Sequence, residues 1–165
     1  MPDTPASLAE RMMEQGQKTL EFFRSLAPEQ WRLPIYTEGT MWSVRDVLAH
    51  FTAAESGVTR LVENILGGGP GSPEDFDLNA YNERKVAGLK GASEEELLLQ
   101  FSSLREKSAT LVKNLHQDDL VKMGRHPWLG MASVEDILKM MVLHNQIHQR
   151  DIRRAINSAG RSEDG

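Results

Sequence analysis

No cysteine occurs anywhere in the sequence. Disulfides, thiolate metal sites and a protein-borne thiol nucleophile are thereby excluded. The absence agrees with a reducing compartment, and a cytoplasmic location is expected. No apolar run approaches the roughly 20 residues of a membrane helix, so no membrane partner is expected. Positive charge is in deficit: 19 Lys and Arg against 24 Asp and Glu give a net charge of -5. With no basic stripe, nucleic acid is not expected as a partner either. The first residues, Met1-Pro2-Asp3-Thr4-Pro5, have no cationic start and no apolar stretch, so no secretory signal is read. Tyrosine is scarce at two residues, whereas methionine numbers eight, a balance that favours helices over sheets. The 165 residues have the size of one ordinary domain, read as a single unit over 1–165 that can bury its own core.

Apolar residues recur at helical spacing over about 7–26 (Leu8, Met12, Leu20, Phe23, Leu26), and Pro28 stops that run. An aromatic loop follows with Trp31, Tyr36 and Trp42. Ser43-Val44-Arg45-Asp46 is a capping box, a hydroxyl followed three residues later by a carboxylate. It opens a second helix to about Leu66, where the Gly67-Gly68-Gly69-Pro70 run ends it. Residues 67–92 form a long crossover that can contain a short helix over 78–89. Ser93-Glu94-Glu95-Glu96 and Ser133-Val134-Glu135-Asp136 open two further helices, to about Leu115 and about Asn157, and the tail from Ser158 is read as frayed. The starts at Ser43 and Ser133 resemble each other, either as a duplicated helix-loop-helix pair or as two good caps. Four long helices without a convincing strand predict an all-α four-helix bundle.

His144 and His148 lie four apart, so both project from one face of the last helix. Metal ligands on one helix need that spacing, although no glutamate follows the first histidine as in the HExxH protease motif. His50 alone reads as a buried core histidine. Counted from their caps, however, His50, His144 and His148 fall within one sector about 80° wide. Three imidazoles converging in one core are better satisfied by a cation than by three separate hydrogen-bond solutions. At 1.5 Å per residue, His50 meets His148 about 26 Å along a shared axis if the two helices run antiparallel, and misses both partners by one to two turns if they run parallel. The long crossover can return the chain to the other end, so the expected order is up-down-down-up. Nitrogen ligands suit zinc, nickel, copper or iron rather than magnesium or calcium. Histidine binds metal only as neutral imidazole, so metal affinity is expected to fall below about pH 6.

Trp42-Ser43-Val44-Arg45-Asp46-Val47-Leu48-Ala49-His50, followed by Glu55, resembles the helix-2 signature of the DinB-like proteins. Leu143-His144-Asn145-Gln146-Ile147-His148 is similar to their helix-4 ligand pair, and Phe76-Asp77-Leu78-Asn79-Ala80-Tyr81-Asn82-Glu83 to a crossover segment common among them. The resemblance covers nearly the whole chain. It implies an up-down-down-up bundle, often homodimeric, with a three-histidine site on His50, His144 and His148 for nickel, zinc or a similar ion, iron being a further option. Relatives include thiol-dependent transferases and isomerases such as mycothiol-dependent maleylpyruvate isomerases. With no cysteine of its own, the chain would take any low-molecular-weight thiol as a cosubstrate. The leading expectation is a metal-dependent enzyme acting on a small molecule, either a thiol transferase or isomerase or a hydrolase using metal-activated water. The alternative is a non-catalytic metal- or small-molecule-binding module, of a kind linked to stress.

Other residues have two readings each. Glu55 is an acid or base behind the ligands, or a solvated or interhelical carboxylate. Asn79 and Asn82 reach over the pocket from the crossover, or serve a turn or cap. Asp151 orients a ligand, or pairs with a neighbouring arginine. His116 and His126 are expected at the surface. Gly67–Gly71 lacks the lysine and hydroxyl of a phosphate loop and reads as a linker. Trp31, Trp42 and Trp128 are expected to anchor loops on the bundle ends.

Overall fold

A hydroxyl opens each of the four long helices. In the computed structural model, which describes residues 2–163, α1 spans Pro5–Arg24, α2 Val44–Leu66, α3 Leu78–Gly88, α4 Glu94–Lys113 and α5 Val134–Glu163. The predicted boxes at Ser43 and Ser93 are both closed reciprocally. At Ser133 the Asp136 amide donates to the hydroxyl at 3.1 Å. Thr4 caps α1 three residues ahead of the expected start. Pro5 takes the first helical position, where a missing N–H leaves nothing unpaired. The short helix anticipated over 78–89 is α3, capped by Asp77. α5 continues to Glu163, past the expected end near Asn157, so the frayed tail is corrected: Ser158 to Glu163 extend the helix.

Two β-hairpins correct the expectation of no strand. Strands β1 (Pro34–Tyr36) and β2 (Trp42–Ser43) precede α2, and β3 (Met123–His126) and β4 (Gly130–Ser133) precede α5. Each hairpin follows a short 3-10 turn, Pro28–Arg32 or Gln117–Val121. In both, the first amide of the following helix donates to the residue just after that turn: Val44 to the Leu33 carbonyl at 3.0 Å and Val134 to the Lys122 carbonyl at 2.9 Å. Helix, turn, hairpin and helix thus occur twice in the same order, which favours duplication over chance likeness of two caps.

Side-chain pairings give the helix directions. Ala6 and Ala9 near the start of α1 share a cleft with Ala109 and Lys113 near the end of α4, so these two run antiparallel. Asp3 meets Lys139, and Thr19 meets Gln149, so α1 and α5 are parallel. Thr59 meets Ser108, and Thr52 lies within 3.5 Å of the Leu97 carbonyl, so α2 and α4 are parallel. Val62 and Ile65 share a core cluster with Ile137 and Leu138, whereas Val44 and Val47 share one with Ile152, so α2 and α5 are antiparallel. The order is therefore up-down-down-up. Crossover residues 67–77 are pinned to the second hairpin at Gly71. Its φ is +89°, and a Cβ would lie 2.4 Å from the Arg125 backbone, so only glycine fits. No described helix is long and apolar enough to cross a membrane.

Candidate metal centre

The antiparallel seam of α2 and α5 brings together three imidazoles. His50 Nε2 lies 2.8 Å from His144 Nε2, which lies 3.1 Å from His148 Nε2. One ligand atom from each residue falls within 4.8 Å of the others. An ion with nitrogen bonds of about 2.0–2.1 Å needs its ligand atoms about 2.9–3.4 Å apart in tetrahedral or octahedral arrangements, so the cluster is close to that demand. The expectation that antiparallel helices bring His50 to the other two is met. Its nearest nitrogen belongs to His144 rather than His148, because helical side chains reach along the axis away from their own Cα positions.

Hydrogen bonds determine which nitrogen of His148 carries its proton. The Tyr36 hydroxyl is 2.7 Å from Asp151 Oδ2 and 2.6 Å from His148 Nδ1. A carboxylate can only accept, so Tyr36 gives its single proton to Asp151 and must accept from His148 Nδ1–H. The Nε2 lone pair of His148 then points at His144 Nε2, and a proton on the latter cannot serve both neighbours equally. His50 Nδ1 is buried without a partner. A cation among the three Nε2 atoms satisfies lone pairs that the protein alone leaves facing one another, so the donor set fits a divalent transition metal.

The imidazoles are held neutral. Burial, reinforced by the fields of His144 and His148, pushes the His50 pKa well below its usual value. Burial, then His148, pulls His144 down to about 3. His148 is lowered by burial against the opposing pull of Asp151. Burial and the hydrogen bond to Asp151 raise Tyr36, so its proton stays in place. The ordinary value of 6.5 behind the expected acid loss of metal therefore does not apply to the folded chain. Neutral imidazoles in the fold titrate freely once unfolded, so the unfolded chain binds more protons below pH 6.5. Stability of metal-free protein is expected to be full above pH 6.5. It should fall as the pH drops through 6.5 and onward toward about 3, where His144 titrates in the fold. The loss is about 1.4 kcal/mol per pH unit for each of His50 and His144. Melting curves of chelator-treated protein between pH 7 and 5, above the range where carboxylates titrate, check this. A pH-independent midpoint there would contradict buried neutral imidazoles.

The histidines border a cavity of about 620 Å³ whose walls are mostly apolar. Asn79 and Asn82 of α3 line it, whereas the cap of that helix is Asp77, so the reading that placed the asparagines over the pocket holds. His126 is corrected from surface to half-buried. It faces the cavity, and its Nδ1 accepts from the Trp128 and Leu129 amides. His116 is exposed, as expected. Trp31 and Trp42 pack on a core cluster, but Trp128 is 64% exposed at the cavity rim rather than anchored. Glu55 borders the cavity, yet both its carboxylate oxygens are taken by Arg105, at 2.7 and 3.0 Å. Its interhelical reading is thus the one the geometry favours. The ligand-orienting role falls to Tyr36 and Asp151. Asp151 also lies 3.9 Å from Arg150.

A helical bundle with a three-histidine cluster beside a largely apolar cavity is the class these features define. The chain belongs to the DinB superfamily, whose family model matches residues 5–152. Its fold is similar to YfiT from Bacillus subtilis, described as a probable metal-dependent hydrolase with an unusual four-helix bundle topology. There the identity is 18%, covering 94% of this chain and 87% of that one, with a TM-score of 0.77. An uncharacterised protein from Escherichia coli UTI89 is similar at 15% identity, 97% and 96% coverage and a TM-score of 0.74. The colibactin self-resistance protein ClbS, solved in complex with a dsDNA, is similar at 14% identity, 95% and 96% coverage and a TM-score of 0.70. No curated protein matches the chain.

Proposed function

We propose that this protein is a metal-dependent enzyme acting on a small molecule, with His50, His144 and His148 holding one divalent transition metal, nickel or zinc before iron. The observation that carries the proposal is the Asp151–Tyr36–His148 chain, which aims a lone pair at the other two imidazoles beside a cavity of about 620 Å³. Three protein ligands leave coordination positions open, as catalytic sites do and closed structural sites do not. A bound ion supplies Lewis acidity there. The chain's own residues hold the ligands neutral, orient His148 and enclose the substrate. Hydrolysis is the leading reaction class, supported by the description of YfiT. Thiol-dependent transfer is the second reading. A cavity this large has room for a low-molecular-weight thiol beside a small acceptor, and the cysteine-free chain would have to recruit one. We also propose a cytoplasmic homodimer. The family resemblance supports it, and so do the exposed Met123, Trp128 and Met131 of the second hairpin.

Elemental analysis of untagged protein tests the metal, and sedimentation of the same preparation tests the dimer. Metal-dependent hydrolysis of ester or amide panels without added thiol supports the leading reading. Turnover only with a thiol supports the second. Stoichiometric metal with neither turnover leaves a non-catalytic binding module, and absence of metal rejects the site.

A further inference from the structure

We propose that the cavity selects molecules with an apolar body and an anionic end, and that Arg60 and Tyr81 receive that end. The inference rests on reading this cavity as the substrate site. Apolar side chains such as Val58, Leu61 and Met140 make most of its wall. Among the described residues its one carboxylate, Glu55, is consumed by Arg105. Arg60 is then a cavity-lining cation without a carboxylate partner among the described residues. It spends one N–H on the Tyr81 hydroxyl, at 3.3 Å. A guanidinium has five N–H donors and no acceptor, so most of its capacity remains. Tyr81, whose oxygen accepts from Arg60, still has its own proton to donate. The nearby Asn64 adds an amide whose oxygen is occupied by the Gly71 N–H, leaving its nitrogen free.

This rim therefore offers donors and wants acceptors. Its charge agrees: the Arg84 guanidinium and the Lys85 ammonium lie 5.6 and 5.4 Å from the Tyr81 ring centre, so three cations surround one phenol on a chain of net charge -5. The approach is tight. Gly57 faces Tyr81, and a Cβ there would stand 3.2 Å from the hydroxyl. Arg60 lies ten residues beyond His50 on α2, about 15 Å along the helix axis. An elongated molecule can thus place one end at the histidines and its anionic end at Arg60.

Calorimetric titration with 6-phenylhexanoate, 6-phenylhexanamide and 6-phenylhexylamine tests this, on metal-loaded and on chelator-treated protein. The acid is expected to bind about tenfold more tightly than the amide in both preparations, with the amine weakest, because charge-assisted hydrogen bonds replace neutral ones. Arg60→Gln should abolish that preference, and Tyr81→Phe should reduce it. Arg60 is exposed, and its replacement should leave metal stoichiometry unchanged. Loss of the metal reading would show in stoichiometry, and loss of this inference in the acid-to-amide ratio. Equal binding of acid and amide, a preference that survives Arg60→Gln, a preference confined to metal-loaded protein, or no binding of any probe in the millimolar range would each overturn it.

Discussion

His148→Ala protein, purified without a tag, is expected to carry no stoichiometric metal while keeping the helical circular dichroism of the parent. His50→Ala and His144→Ala should do the same. Each removes one of three nitrogens that converge to within 4.8 Å, and two imidazoles alone compete poorly with buffer and chelator. The fold should survive because the helices are held elsewhere, by two apolar clusters that include none of the histidines. Tyr36→Phe gives the informative intermediate. It keeps all three ligands and the ring but releases His148 from its forced tautomer. Losing an orienting partner of this kind weakens metal affinity by about 10–100-fold. The series is read by competitive titration against a chromophoric chelator. Near-stoichiometric metal in any histidine variant would remove that residue from the ligand set. Unchanged affinity in Tyr36→Phe would make the 2.6 Å contact incidental.

Local chemistry made the helices legible. Ser43, Ser93 and Ser133 each announce a helix through a carboxylate three residues on; the first two boxes close reciprocally, and at Ser133 the hydroxyl caps the Asp136 amide while the reciprocal backbone bond is not made. The histidines were legible for the same reason, since a face on a helix follows from spacing once the caps are known. The hairpins were not. Their strands run for two to four residues, too short for alternation to register, and the turn of the second depends on Gly130 at a φ of +74°. In the sequence Tyr36 is one loop aromatic among several. Its role needs Asp151, which is 115 residues away, and no local pattern joins them. The burial of His126 is not legible because it comes from its place at the end of β3 against the cavity, in a hairpin too short to register in the sequence. The scarcity of tyrosine was the one signal available: the two in the chain are Tyr36 and Tyr81, and both border the site.

Replacing Arg105 should destabilise the fold more than any histidine variant. Its side chain is 2% exposed, as is that of Glu55, and the two join as a bidentate pair between α2 and α4. The remaining nitrogen of the guanidinium donates to the Met12 carbonyl at 2.8 Å and to Gln15 Oε1 at 3.2 Å, which ties in α1. Gln15 bonds Thr19, and Thr19 accepts from Gln149 of α5, so one polar network touches all four long helices. Gly16 is part of the design, since a Cβ there would lie 2.8 Å from Arg105 Cγ. Arg105→Ala leaves the Glu55 carboxylate buried and unpaired, at a cost of about 3–5 kcal/mol. For a domain of this size the melting point should fall on the order of 10 °C. Glu55→Leu combined with Arg105→Met removes both charges and fills the space. It should recover most of the loss, because a well-packed apolar pair often equals a buried ion pair. The two single variants should therefore be strongly non-additive with the double. Urea unfolding midpoints of parent, singles and double measure this. If Arg105→Ala cost less than about 1 kcal/mol, the pair would not be buried as described. If the double variant were as unstable as the single, the network would stabilise through its hydrogen bonds to Met12 and Gln15 rather than through charge.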